Sequence, residues 1–429
     1  MNKILHIIFI KTIPSLSNKF DLYTKNNNIF IKLNIKHLTN FEINLLINNI
    51  KDFIVLYNNI YIKFNNNISD LETINIIAIL NNFTYSFLKP KFSIDFDTSN
   101  QLLSDSYIKF LKSYKDIVIN PNKNPNIFIN YILKNIPNSY TFTKFTNNYK
   151  LFPLTNAVGN ASQFNNYFLH IKPKREINKA TNLFLIGKGV TFDTGGINLK
   201  TSHLPEMKID MAGAALLINL LNFLHINKKD RNFNIHLLLP IVENSIGSKS
   251  YLPGSVITSL SGKTIEINDT DAEGRLIIVD AIEYLKIKIL NKYINKNNFI
   301  FDIATLTGNT INISCGISSI ATANESAIKK NLIYDLIKTG QNTMEYVDFL
   351  ELRDEYLNSL KSNVADIKNI SIKCHADCII TASFINFFVP PSIPWIHIDI
   401  GSVVTSNNPD FININSYGLH LLYKFFSNF

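Results

Sequence analysis

Three acids and one arginine fall within the nine residues Asn268-Asp269-Thr270-Asp271-Ala272-Glu273-Gly274-Arg275-Leu276. Carboxylates two positions apart on a turning backbone can converge on one hard or borderline metal ion through oxygen ligands. The following GRLIIVDAIEYLKIKIL places apolar residues at Leu276, Val279, Ile282 and Leu285. That is helical spacing, so Gly274 to Leu276 should offer free N–H groups at a helix start. Such an end attracts small anions, and Arg275 adds a fixed positive charge beside it. A solvated acidic loop that only caps a helix has the same spacing, so the neighbouring segments decide.

A second cluster lies upstream, where the apolar run ending at Leu185-Ile186 enters Gly187-Lys188-Gly189-Val190-Thr191-Phe192-Asp193-Thr194-Gly195-Gly196. Lys200 and then Met207-Lys208-Ile209-Asp210 follow. MAGAALLINLLNFLHI reads as a helix buried almost all round, which sets Asp210 at a strand-helix or loop-helix junction. Polar residues at such junctions face the active-site edge of an α/β sheet. A phosphate-loop reading of GKG fails, because no G-x-x-x-x-G-K-[ST] is present and Lys188 precedes the turn instead of entering a helix.

These residues resemble the leucyl aminopeptidase family, cytosolic metallo-exopeptidases with an N-T-D-A-E-G-R-L signature, in a short form similar to peptidase B. The likeness runs from about Asn156 to the end. Its segments are AVGNAS, GKGVTFDTGG, MKIDMAGA, ENSIGSKSYLPGSV, SGKTIEI, TDAEGRL, DIATLTGN, SNVADIKN, PWIHIDIG and SYGLHLL, in that order.

The resemblance implies a dinuclear metal-dependent aminopeptidase with two divalent ions per subunit, manganese or zinc. Asp193 and Glu273 would bridge them, Asp271 would complete one site, and Lys188 and Asp210 the other. Four carboxylates balance two dications provided Lys188 is the neutral amine, a form that adjacent cations favour. In the implied mechanism a bridging water attacks the scissile carbonyl, Lys200 stabilises the oxyanion, and a bicarbonate held by Arg275 relays the proton. Thr305, Leu306 and Gly308 would line the substrate cleft and Met207 would wall the pocket for the first side chain; the same residue types at a strand end also serve as ordinary packing. Peptide substrates, a homohexamer and a cytoplasmic location are implied as well. A non-catalytic structural or nucleic-acid-binding hexamer of the same descent is the alternative, disfavoured because all five ligand positions, Lys200 and Arg275 are intact.

The chain departs from the family pattern in places. One residue fewer separates Lys200 from Asp210 than the family has, which would reshape that loop. Asp269 stands where the family has asparagine, Ala212 replaces a glycine, and a small-residue A-G-A turn reads Ala376-Asp377-Cys378.

At 429 residues and 46% hydrophobic, the chain is long enough for two domains. The pattern predicts a reduced N-terminal α/β domain over 1–110, a helical linker over 111–139 with PNKNPN as a break, and a catalytic domain over 140–429 with a mixed sheet covered by helices. Strand-like pieces lie at ILHIIFI, IFIKLNI, FIVLYN, IYIKF and FSIDF, and a helix over 70–88 opens with a Ser69-x-x-Glu72 capping box. Buried strands are expected at 182–187, 234–240, 298–304 and 395–400. The opening MNKILHIIFIKTIPS lacks a small-residue cleavage site and reads as a first strand rather than a signal peptide. No run of about 18 uninterrupted apolar residues marks a membrane span. The net charge of +9 is scattered among Asn, Ile, Phe and Tyr, residues with AT-rich codons, so neither nucleic-acid nor membrane binding is expected. Three cysteines give no even framework, and Cys374-His375-x-x-Cys378 without a second pair reads as a loop with buried thiols rather than a zinc site.

Overall fold

Ile- and Phe-rich runs of five to eight residues bounded by Asn, Gly and Pro form strands because branched and aromatic side chains pack well on a pleated surface. A computed structural model of the chain describes residues 20–25, 28–33, 59–64, 94–97, 101–227, 233–293, 297–372, 374–405, 415 and 417–429. The chain divides into two compact units, 1–112 and 113–429.

In the first unit, β1 (Phe20–Lys25), β2 (Asn28–Leu33), β3 (Asn59–Phe64) and β4 (Ile94–Asp97) form a sheet in that order. The first pair is antiparallel and the others are parallel. The expected strands at IFIKLNI, IYIKF and FSIDF fall on β2, β3 and β4. Those at ILHIIFI and FIVLYN, the opening segment as a whole and the helix over 70–88 lie outside the described residues.

Helices α1 (Gln101–Ile119) and α2 (Pro125–Lys134) follow, separated by the predicted break. Asn124 caps α2 by accepting from the Ile127 N–H at 3.0 Å, and Pro125 opens the helix where its missing donor costs nothing.

The second unit is built on a nine-stranded mixed sheet. Its strands are β5 (Tyr140–Thr146), β6 (Tyr167–Pro173), β7 (Thr181–Gly187), β8 (Gly189–Asp193), β9 (Phe233–Asn244), β12 (Asn298–Ala304), β13 (Ser318–Ala323), β14 (Tyr346–Phe349) and β16 (Trp395–Asp399). The order is β14-β13-β16-β12-β7-β9-β6-β5, with β8 paired to β9. A small second sheet holds β10 (Val256–Thr258), β11 (Thr264–Glu266) and β15 (Ile367–Lys368). The central strands β16, β12, β7 and β9 run parallel, flanked by antiparallel β13 and β6. Parallel strands covered on both faces must be apolar throughout, as the fully buried Leu183 to Ile186 of β7 are.

Four helices matter for the site: α3 (Ala212–Ile226), α4 (Glu273–Tyr284), α5 (Asp377–Asn386) and α6 (Leu419–Phe426). With the turn before it, α3 is long and apolar enough to cross a membrane, yet it is a core helix. Leu216, Leu217, Leu220 and Phe223 are buried on successive turns. Each such side chain contributes roughly 1.5–3 kcal/mol by leaving water. On the other side, α4 packs into a cluster that includes Phe152, Phe168 and Tyr284, with the Phe152 and Phe168 rings stacked at 3.9 Å. The expected amphipathic spacing of α4 becomes burial on all sides, and the helix runs on through a π turn (Leu285–Ile289) and a 3-10 turn (Leu290–Tyr293).

Because β7, β8, β9, β12 and β16 point the same way, their carboxyl ends share one edge. Lys188 follows β7, Asp193 ends β8, Asn244 ends β9, Thr305 follows β12 and Asp399 ends β16. That edge carries the polar residues, as the open-sheet rule requires.

Candidate metal centre

Asp193, Asp210 and Glu273 come from three different elements and meet within 4.8 Å of one another, all buried. Asp193 ends β8, Asp210 sits in the turn that leads from a 3-10 turn (Leu204–Ile209) into α3, and Glu273 is the first residue of α4. Among the described residues no other set of three His, Cys, Asp or Glu groups converges in this way.

Two lysines reach into the cluster from opposite sides. Lys188 Nζ lies 2.9 Å from Asp210 Oδ1, 2.9 Å from Glu273 Oε1 and 2.8 Å from the Thr305 carbonyl. Lys200 Nζ lies 2.9 Å from Asp193 Oδ2 and 2.5 Å from Asp271 Oδ1. Asp271 stands outside the buried triple, its side chain 31% exposed, and Lys200 ties it in. The shortened loop between Lys200 and Asp210 therefore still delivers Lys200 to the carboxylates.

Close approach dictates two glycines. A Cβ on Gly274 would stand 2.6 Å from Lys188 Nζ and 2.7 Å from Leu306 Cδ1, so only glycine lets the lysine cross the start of α4. Gly195 has φ +88°, and a Cβ there would meet the Asn198 carbonyl at 2.4 Å.

The four carboxylates outnumber the two ammonium groups by two charges. Burial raises the Asp193 and Asp210 carboxyls, with Glu273 adding to both, and pushes Asp271 up to about 7. Glu273 moves the other way: burial opposes its charge, but Lys188 and Lys200 outweigh burial and hold it low. Burial likewise opposes the charge on both lysines, and the surrounding carboxylates overcome it and hold each ammonium above the ordinary lysine range. Asp210 Oδ2 and Glu273 Oε2 are buried without any hydrogen-bond partner. Unpartnered buried carboxylate oxygens are costly, and an oxygen-seeking dication is the group that would satisfy them. The donor set thus fits divalent metal ions.

Neighbours that carry no motif role in the sequence hold the ligands in place. Asn244 Nδ2 donates to Asp193 Oδ1 at 2.8 Å and to the Thr270 carbonyl at 3.0 Å, linking the two acidic segments. Asn369 binds Asp269 on both sides, accepting from its N–H at 3.3 Å and donating to its carbonyl at 2.6 Å. Asp269 Oδ1 accepts from the Asp271 N–H at 2.8 Å, a local turn that sets the loop. Asp399 receives the N–H groups of Leu306 and Thr307, both at 3.0 Å, and so shapes the segment after β12.

Of the residues expected at a substrate cleft, Thr305 joins the cluster, its Oγ1 donating to Asp210 Oδ1 at 2.8 Å. Leu306 is half-buried beside Gly274, Gly308 is exposed ahead of the short helix Asn309–Ser314, and Met207 is half-buried in the 3-10 turn. Arg275, on the first turn of α4, is buried; its Nη1 donates to the Asn369 carbonyl at 2.7 Å and its Nη2 to Asp377 Oδ1 at 2.9 Å. Cys378 is buried, Cys374 half-buried and Cys315 exposed, so the expectation of buried thiols holds for Cys378 alone.

Residues 123–422 match the cytosol aminopeptidase family, catalytic domain. A probable cytosol aminopeptidase of Phytoplasma australiense is 39% identical over 241 residues, covering 55% of this chain and 46% of that protein. One from Rickettsia canadensis is 34% identical over 279 residues, covering 64% and 53%. The chain spans about half the length of the curated relatives it matches. Among solved structures, a cytosol aminopeptidase from Coxiella burnetii superposes with TM-score 0.75 at 27% identity, over 86% of this chain and 80% of that one. A leucine aminopeptidase from Caenorhabditis elegans, at 22% identity and TM-score 0.77 over 94% and 82%, shares the fold.

Proposed function

The chain belongs to the cytosol aminopeptidase family, and from that premise we propose that it releases N-terminal amino acids from peptides using two divalent cations, manganese or zinc. The observation that carries this reading is the convergence of Asp193, Asp210 and Glu273, buried, with two carboxylate oxygens unpartnered and two lysines in contact.

In this proposal Asp193, Glu273, Asp271, Asp210 and Lys188 would hold the two ions. With the ions bound Lys188 would act as the free amine, the form that neighbouring dications favour over the ammonium that Asp210 and Glu273 hold without them. The chemistry such ions supply is Lewis-acid polarisation of the scissile carbonyl and activation of water. Lys200 is the residue for the oxyanion: partly exposed at 17%, it remains an ammonium and places its charge where negative charge develops in the transition state. Thr305, Leu306 and Gly308 line the cleft and Met207 bounds the pocket for the first side chain. Arg275 gives one N–H of each terminal nitrogen to Asn369 and Asp377 and keeps three others, its buried Nε among them without a partner, so the guanidinium retains donors for the bicarbonate that would relay the proton. A homohexamer and a cytoplasmic location complete the proposal; the first is supported by the resemblance and the second also by the relatives' names.

The test is hydrolysis of a panel of aminoacyl-naphthylamides and dipeptides, with free and with acetylated α-amino groups, by metal-loaded and chelated protein. Cleavage restricted to free amino termini and dependent on the metal is expected. A full rate after exhaustive chelation, with elemental analysis showing no metal, overturns the reading.

A further inference from the structure

We propose that Lys123, in the break between α1 and α2, is a positioning residue for the metal site: it clamps the 3-10 turn Leu204–Ile209 and through that turn sets Asp210 and Met207. Its Nζ donates to the Val118 carbonyl at 3.0 Å and to the Lys208 carbonyl at 2.5 Å. The first bond closes the end of α1. The second crosses 85 positions of chain to the residue between Met207 and Ile209.

The turn it holds is weak on its own. Six residues of 3-10 helix exceed the three or four that its poorer hydrogen bonds ordinarily support. The turn also starts from His203 at φ +57°, a left-handed conformation that residues other than glycine rarely adopt. It ends where the Asp210 N–H donates to the Met207 carbonyl at 3.3 Å, so the acid is fastened to the same turn that carries Met207. A hold from outside the turn therefore bears on both residues.

Lys123 is buried, and burial pulls its ammonium down to about 7, with Lys208 adding to the shift. A neutral amine keeps two N–H donors, enough for both carbonyls, so the clamp holds in either form. A lysine near a helix end also satisfies the last carbonyls of that helix, and the Val118 bond alone would be this purely structural role. The Lys208 bond goes beyond it, because that carbonyl belongs to neither α1 nor α2.

This inference rests on the reading of Asp210 as a metal ligand and of Met207 as a pocket residue. Outer partners that orient ligands typically carry roughly tenfold to a hundredfold in metal affinity.

The experiment uses the full chain, wild type and Lys123→Met, which keeps most of the stem and loses the donors. Zinc affinity is read by competition with a chromophoric chelator, and amide exchange by mass spectrometry with and without zinc. In wild type, zinc should slow exchange over 204–211 and also over 118–124, since the clamp joins the two segments. Lys123→Met should bind one of its two ions about tenfold more weakly, and zinc should no longer slow 118–124. The spread of kcat/KM over a panel of aminoacyl-naphthylamides should narrow as well, because the turn with Met207 is freer. Zinc that protects 204–211 in wild type and leaves 118–124 unchanged overturns the proposal, and this arm needs no variant to fold. So does Lys123→Met that is less stable in urea yet binds both ions as tightly as wild type, the pattern of a helix end alone. If wild type binds zinc but cleaves no peptide, the peptidase reading fails, and affinity and exchange still decide whether Lys123 holds Asp210.

Discussion

Replacing Lys200 by methionine separates charge balance from catalysis. Its nitrogen stands 2.9 Å from Asp193 and 2.5 Å from Asp271. At an effective dielectric near 20, each pair has a gross attraction of about 6 kcal/mol, most of it offset by desolvation. Removing one partner of a buried pair costs about 3–5 kcal/mol, and the 17% exposure of Lys200 places this case at the low end. Methionine keeps the apolar stem, so little packing is lost. In chelator, urea unfolding should therefore show Lys200→Met about 3 kcal/mol less stable than wild type. Saturating zinc or manganese should close most of that gap, since a dication supplies the missing positive charge. Turnover should not recover: kcat of the fully loaded variant should stay at least about a hundredfold down, because Lys200 then lacks only its transition-state role. A metal-loaded variant within about threefold of wild type in kcat refutes the assignment. Stability and turnover recovering together would refute it too.

Other consequences follow for the ligands, for a distant carboxyl and for assembly. Asp210→Asn and Asp271→Ala should each lose metal along with activity, read by elemental analysis after gel filtration; two ions per chain retained in either variant would remove that residue from the ligand set. Glu345 is buried and pushed up to about 8 by burial, against donors from Leu421 and Gly418. Its folded value lies above the ordinary 4.5, so the protonated acid favours folding below about 4.5 and that contribution is lost as pH rises towards 8. Urea midpoints of wild type should fall between pH 6 and pH 9, and Glu345→Gln should fall by visibly less; parallel curves would show that Glu345 does not titrate with folding. Light scattering of the metal-loaded chain should give six subunits, and a stable monomer at micromolar concentration would end the hexamer proposal.

The centre of the fold was legible because burial on both faces leaves no freedom of composition. The expected strands at 182–187, 234–240, 298–304 and 395–400 fall on β7, β9, β12 and β16 within a few residues. A strand packed on both sides has to be apolar from end to end, and four such runs spaced by helical segments predict parallel neighbours. The sequence puts Asp210 before a buried helix for the same reason, since an all-apolar helix must begin where the polar residues stop. The supporting residues were not legible. Asn244, Asn369 and Asp399 sit inside segments that carry the family likeness, yet a side-chain amide bridging two loops has no sequence period. Asn369 lies 94 positions from Arg275, and only the fold brings the two together.

The fate of the departures follows from the same physics. Asp269, an acid in place of asparagine, turns its oxygen to the Asp271 N–H, which an asparagine carbonyl oxygen at that position would also accept. The backbone sees an acceptor in either case, so the substitution preserves the turn. Asp377 differs, because a small residue has no acceptor to offer, and its side chain brings a full charge to a buried arginine. Burial opposes the charge on Asp377, but Arg275 outweighs it and holds the carboxyl below the ordinary range. A buried guanidinium with only carbonyl partners keeps an uncompensated charge, which the Asp377 carboxylate offsets here. One side chain at the start of α5 therefore supplies a charge compensation that a small residue there would not, while the buried Arg275 Nε still has no partner.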